Sequence, residues 1–100
     1  MGKMETNFRA RLRPRLEAIP NSWWESIQQQ TIHGTPDIIG RIQGFFVAIE
    51  VKATADDKPA KIQQIKLDRI RLDAQGIALV IHPDNMEESL EFLNKLGTIS

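Results

Sequence analysis

The sequence predicts an α/β fold in the order α-β-β-β-α-β-α, with residues 1–100 forming a single domain. Three observations lead there. Glu5–Ile19 and Ala60–Gln75 carry apolar residues at helical spacing. Ile38–Ile42 and Phe45–Val51 are β-rich runs separated only by Gln43 and Gly44, the signature of a tight hairpin. Ile77–Ile81, short and wholly apolar, follows the second helical segment, as a strand reached by a helical crossover would.

Each element has its own local justification. In the first helix, Phe8, Leu12, Leu16 and Ile19 make the apolar stripe, and Thr6 or Asn7 can cap it. Pro14 predicts a kink or a restart in its middle, and Pro20-Asn21 closes it. Ser22–Gln30 reads as a polar strand headed by Trp23 and Trp24, followed by a loop at His-Gly-Thr-Pro. In the hairpin, Gly44 tolerates the positive φ that a primed turn needs. Ala53–Pro59 is a polar loop. The second helix carries Ile62, Ile65, Ile70 and Leu72 and is stopped by Gly76. The unbroken apolar character of Ile77–Ile81 is that of an interior strand. A last amphipathic helix spans Met86–Leu96 and is ended by Gly97.

Composition narrows the class. With 41% hydrophobic and 26% charged residues, the chain is an ordinary globular protein. The absence of cysteine excludes disulfides and thiolate metal sites. No segment has signal-peptide or membrane-spanning character, so a cytoplasmic protein with no membrane partner is expected. One modest core gives thin stability, which favours an oligomer. A formal net charge of zero argues against a generic nucleic-acid coat. It leaves room for local patches: Arg9, Arg11, Arg13 and Arg15 cluster on the first helix, and Lys58, Lys61, Lys66, Arg69 and Arg71 form a second group.

The chemistry sits at the open end of the hairpin. If Gln43 and Gly44 are the loop, Ile42 pairs with Phe45, and the same register brings Asp37 opposite Glu50. Facing residues have Cβ atoms roughly 5 Å apart, where like charges repel. Strand alternation puts Lys52 on the face of Glu50 and turns Val47, Ile49 and Val51 towards the core. A bulge in the turn would slip the register and destroy this facing. Opposed carboxylates can be compensated by a proton, by Lys52 or by a divalent cation, and oxygen donors without cysteine favour Mg²⁺ or Mn²⁺. Such an ion, with a lysine beside it, suits hydrolysis of a phosphodiester. Taken singly, an Asp after proline is ordinary turn chemistry and Glu-x-Lys is an ordinary solvated pair. Their joint placement is what points to a site.

These residues resemble the PD-(D/E)XK nuclease superfamily, and more narrowly its VRR-NUC group. The resemblance rests on Gly34-Thr35-Pro36-Asp37, a hairpin, and Ile49-Glu50-Val51-Lys52. It continues with Lys58–Gln63, similar to that group's glutamine-bearing segment, and Gln75–Ile81, similar to its last core strand. It covers roughly residues 5 to 85. It implies a restriction-endonuclease-like αβββαβ core, here with an additional C-terminal helix. It further implies Asp37 and Glu50 as metal ligands, with the Val51 carbonyl as a third, and Lys52 as the group that positions or activates water. Gln63 matches the site glutamine, with Gln64 as the alternative. The family's first-helix acid falls on Glu5 in preference to Glu17 or Glu25, although a solvated first-turn glutamate explains Glu5 equally well.

The implied activity is that of a Mg²⁺- or Mn²⁺-dependent endonuclease, a small phage or prophage type, acting as a homodimer on branched DNA such as four-way (Holliday) junctions. The alternatives are a flap or nicking nuclease of the same fold, or a catalytically silent DNA-binding module. Arg9, Arg11, Arg13, Arg15 and Lys61 are the candidates for the DNA backbone, with surface solvation as the competing explanation. His33 borders the motif, and His82 reads as a turn residue. Of Trp23 and Trp24, on alternate faces of one strand, at least one belongs in a core or an interface.

Overall fold

The computed structural model describes residues 3–27 and 35–99. His33, Gly34 and the expected strand tail as far as Gln30 lie outside these residues.

Phe8, Leu12 and Leu16, four residues apart, put one apolar stripe on helix α1 (Lys3–Glu17), and all three are buried. Pro14 neither splits this helix nor restarts it. Pro14 and Ala10, the residue whose carbonyl loses its helical donor, are both exposed, so water can take that carbonyl while the buried stripe holds the helix together.

Strands β1 (Ser22–Ser26), β2 (Ile38–Ile42), β3 (Phe45–Val51) and β4 (Ile77–Ile81) form one sheet in the order β1-β2-β3-β4. The first two pairings are antiparallel, and β3–β4 is parallel across helix α2 (Lys61–Leu72). The described elements thus follow the expected order, ending with helix α3 (Met86–Thr98).

Strand alternation gives the sheet two unlike faces. Val47, Ile49 and Val51 of β3 join Ile38 and Ile42 of β2, Trp24 of β1 and Ile81 of β4 in the core, under Phe8, Leu12 and Leu16 of α1 and Leu90 and Leu93 of α3. The intervening residues Ala48 and Glu50 face the side that α2 covers through its one fully buried residue, Leu67. Trp23 stands on that second face and is exposed, while Trp24 is core. No helix among the described residues is long and apolar enough to cross a membrane.

Several expectations need correction. Thr6 and Asn7 lie inside α1, which already includes Lys3, so neither caps it. β4 is an edge strand, not an interior one. Its apolar pattern arises because Ala78 is buried on the α2 side while Ile77, Leu79 and Ile81 pack on the core, so both faces are covered even at an edge. The edge is blunted by side chains: Arg71 donates to the Ala78 carbonyl from Nε (3.0 Å) and Nη2 (2.6 Å), and Asn85 Nδ2 donates to the Val80 carbonyl at 2.9 Å.

The two helix-ending glycines also act differently from expectation. After α2 the left-handed residue is Gln75 (φ 56°), and Gly76 is needed because a Cβ there would stand 2.9 Å from Ile70 Cγ2. Gly97 lies inside α3, where a Cβ would meet the Pro20 carbonyl oxygen at 2.4 Å. In the hairpin, the left-handed backbone belongs to Gln43 (φ 52°), whose amide donates to the carbonyls of Leu96 and Gly97 at 3.2 Å. The turn thereby caps the end of α3.

Gly97→Ala is therefore expected to destabilise the fold by about 1–3 kcal/mol through overpacking against a backbone atom. Chemical denaturation checks this; a variant as stable as the wild type would contradict it.

Candidate active site

The hairpin register decides where the site forms. Ile42 pairs with Phe45 and Ile38 with Ile49, with no slip between them. One residue beyond the ladder, Asp37 reaches Glu50. Asp37 is pinned there by its own backbone and side chain: its N–H donates to the Ile49 carbonyl (3.0 Å), and its Oδ2 accepts the Val51 N–H (2.8 Å). A strand residue's N–H and C=O share one edge, so the Val51 carbonyl is directed to the Asp37 side.

Glu50 is the buried member, 3% exposed. Lys52 Nζ lies 3.6 Å from its Oε2, and Gln63 Nε2 donates to the same oxygen at 2.8 Å. The other oxygen, Oε1, is buried and has no hydrogen-bond partner among the described residues. Desolvation raises the Glu50 pKa first, and the neighbouring Asp37 carboxylate raises it further; Lys52 counteracts only in part. The result is a shift from an ordinary 4.5 up to about 7.

Gln63 ties the loop before α2 to this cluster. Its Oε1 accepts the Ala60 N–H (2.9 Å), which caps the helix, and lies 3.4 Å from Lys52 Nζ. Gln64 is turned elsewhere, donating to Asp68 at 2.9 Å. The one-residue ambiguity between the two glutamines is a matter of helix phase: only the N3 position faces back to the strand ends.

Asp37, Glu50, Lys52 and Gln63 therefore converge, and the first helix adds a member that sequence reasoning had placed on the DNA backbone. Arg9 Nη2 is 3.0 Å from Asp37 Oδ1 and 3.5 Å from Glu5 Oε2. Glu5 thus reaches the cluster through Arg9, as its i, i+4 partner. That spacing was visible in the sequence, but the arrival of Arg9 at Asp37 depends on how α1 crosses the sheet. Glu17 is engaged by Arg13 (2.9 Å), and Glu25 is exposed on β1.

The other candidate DNA contacts divide. Arg13 also bonds the Ser26 hydroxyl and the Trp24 carbonyl (3.0 Å), bracing α1 on β1, and Arg15 pairs with Glu87 (2.8 Å) to join α1 to α3. Arg11 is exposed over the Phe8 ring, and Lys61 is exposed at the start of α2.

The donor set was tested against a divalent ion. Among the described residues no group of three or more His, Cys, Asp or Glu side chains converges. Two carboxylates, with a buried oxygen that has no donor among the described residues and a nearby backbone carbonyl, nevertheless fit Mg²⁺ or Mn²⁺, since Mg²⁺ is commonly held by one or two carboxylates and completed by water and substrate phosphate.

No family model matches the chain, and no curated protein does. One solved structure, described as "VRR_NUC domain", is similar with a TM-score of 0.73 and 21% identity, covering 90% of this chain and 97% of that one. The chain has the fold of a VRR_NUC domain. In that VRR_NUC fold the α-β-β-β-α-β core is the restriction-endonuclease-like arrangement, and α3 is added at its C-terminal end.

The Glu50 shift has a pH consequence whose sign follows from linkage. Between pH 4.5 and about 7 the folded protein holds a proton at Glu50 that the unfolded chain has released, so stability falls as pH rises through this window. In EDTA, the melting temperature of the wild type relative to Glu50→Gln is expected to fall from pH 4.5 to 7. A constant difference across that range would contradict the burial of an acid here.

Proposed function

We propose that the chain is a VRR-NUC member of the PD-(D/E)XK superfamily: a Mg²⁺- or Mn²⁺-dependent endodeoxyribonuclease that hydrolyses phosphodiester bonds. The single observation carrying this reading is the facing of Asp37 and Glu50 with a buried Oε1 that has no donor among the described residues and Lys52 Nζ alongside. A surface ion pair has no reason to bury an acid against another acid, whereas a cation site does.

Asp37, Glu50 and the Val51 carbonyl would hold the ion, which supplies charge stabilisation on the phosphate and a lowered pKa for bound water. Lys52 would position or activate the attacking water. Its neighbours equip it for this: Glu50 and the Gln63 carbonyl oxygen hold the Nζ in place from two sides. Gln63 in turn couples Lys52 to Glu50 through its amide, so one helix cap orients both. Arg11 and Lys61, both exposed, are the cations best placed to meet backbone phosphates away from the reacting bond.

Branched DNA, with a four-way junction first, is the proposed substrate, and a two-fold homodimer would present one site to each of two strands. Exposed aromatic side chains on the second sheet face support the dimer: Trp23 is 61% and Phe46 42% exposed, on either side of Arg41 of β2. The chain would act in the cytoplasm during phage DNA replication, recombination or repair. A flap or nicking nuclease of the same fold is the nearest alternative. A silent DNA-binding module is disfavoured because Lys52, Gln63 and both acids are brought together at bonding distance.

Two measurements test this. Labelled junction, flap, nicked and linear duplex substrates are incubated with Mg²⁺ or Mn²⁺; cleavage should vanish in EDTA and with Glu50→Ala. Lys52→Ala should slow it roughly 10²–10⁴-fold, the usual loss for a positioned acid–base group. Undiminished cutting in EDTA or by Lys52→Ala would overturn the mechanism. Separately, light scattering should give a dimer mass that Trp23→Arg shifts towards monomer, and a monomeric wild type at working concentration would end the dimer proposal.

A further inference from the structure

The two acids of the site are neutralised by unlike means, and Arg9 accounts for the difference. Glu50 is buried beside Lys52 and Gln63. Asp37 instead meets a full positive charge, with Arg9 Nη2 at 3.0 Å from Oδ1 while its other oxygen takes a backbone N–H. A guanidinium therefore stands at the carboxylate that a divalent ion would need.

This contact leaves Arg9 incompletely satisfied. A guanidinium commonly binds an oxyanion through two parallel N–H groups on one edge. Among the described residues, Nη2 is the atom that engages carboxylates, those of Asp37 and Glu5, and the Nε on the same edge is buried with no partner there. Arg9, Glu5 and Asp37 side chains are each about a fifth exposed, at 19%, 18% and 21%, so the cluster opens to solvent and a ligand can reach it. A buried Nε lacking an acceptor costs free energy that a third oxyanion would recover. The oxyanion expected at a phosphodiesterase site is a substrate phosphate.

Resting on the cation-dependent reading above, we propose that Arg9 is an exchangeable counter-ion: it neutralises Asp37 in the free protein, and offers its Nε–Nη2 edge to a substrate phosphate once Asp37 is given over to a cation. Two like charges cannot share Asp37 at close range without repulsion, so the guanidinium and the ion compete. Glu5, the i, i+4 partner, keeps the displaced side chain beside the site instead of releasing it to solvent. Cation and phosphate binding are thereby linked: each makes the other easier because each favours Arg9 away from Asp37.

Binding measured without turnover tests this. Mn²⁺ affinity is determined by calorimetry in the absence of DNA for wild type, Arg9→Gln, Arg9→Lys and Glu50→Gln. Junction affinity is then measured in Ca²⁺, with folding of every variant checked by circular dichroism. Arg9→Gln should bind Mn²⁺ at least about fivefold more tightly, because a competing charge is gone, yet bind the junction more weakly. Arg9→Lys keeps the charge without the fork, so it should bind Mn²⁺ like the wild type and still bind the junction more weakly.

Mn²⁺ affinity of Arg9→Gln equal to or below wild type would overturn the exchange. Should that variant not fold, the Lys variant decides, and wild-type junction affinity there would overturn the phosphate contact. If the wild type binds no Mn²⁺, or Glu50→Gln binds it equally well, the cation reading itself has failed. Binding by the wild type that Glu50→Gln loses and Arg9→Gln leaves unchanged defeats only the exchange.

Discussion

Two carboxylates brought together by a hairpin register set the terms for everything built around them. Asp37 cannot move away from Glu50, because its N–H and its Oδ2 are both bonded to β3. Glu50 cannot turn to water, because its strand neighbours Ile49 and Val51 are fully buried and Ala48 lies under α2. The repulsion is structural, and the surrounding side chains are best understood as answers to it.

Those answers come from three separate elements. The first turn of α2 contributes Gln63, which caps its own helix and uses its side-chain N–H on Glu50. The end of β3 contributes Lys52, whose N–H is bonded to the Ile81 carbonyl, so the parallel β3–β4 pair also sets where the ammonium starts. Helix α1 contributes Arg9. Even so, one carboxylate oxygen keeps no donor among the described residues, which is the kind of unmet demand that marks functional sites more often than structural ones. The remaining arginines of α1 brace the scaffold: Arg13 ties α1 to β1 and Arg15 ties it to α3. A cluster of cations in the sequence thus separates into one site residue, two braces and one exposed charge.

Much of the fold was legible because local periodicity reports local structure. The α1 stripe, the two-residue hairpin loop and the crossover to Ile77–Ile81 each follow from spacing alone. The errors share a cause. β4 was expected inside the sheet because apolar residues report covered faces, and they carry no information about a missing neighbour along the hydrogen-bonding direction. Gly76 and Gly97 were expected to stop helices because a glycine's backbone freedom is the commoner reason for its presence. Here the decisive property is its missing Cβ, which matters only once another segment has been brought against it.

The sequence by itself determined the hairpin register and put Glu50 and Lys52 on one face of β3, since a tight turn and a period of two are local rules that propagate along a hairpin without help from the rest of the chain. Asp37 lies one residue past that ladder, and its N–H bond to the Ile49 carbonyl departs from the regular register. The sequence also determined which face of β3 is core. Tertiary structure alone decided that Glu50 is desolvated, that Gln63 and not Gln64 faces it, and that Arg9 sits on Asp37. Each of these depends on the position and phase of a helix against the sheet. Such packing follows from the joint fit of several apolar surfaces, and no single stretch of sequence encodes it.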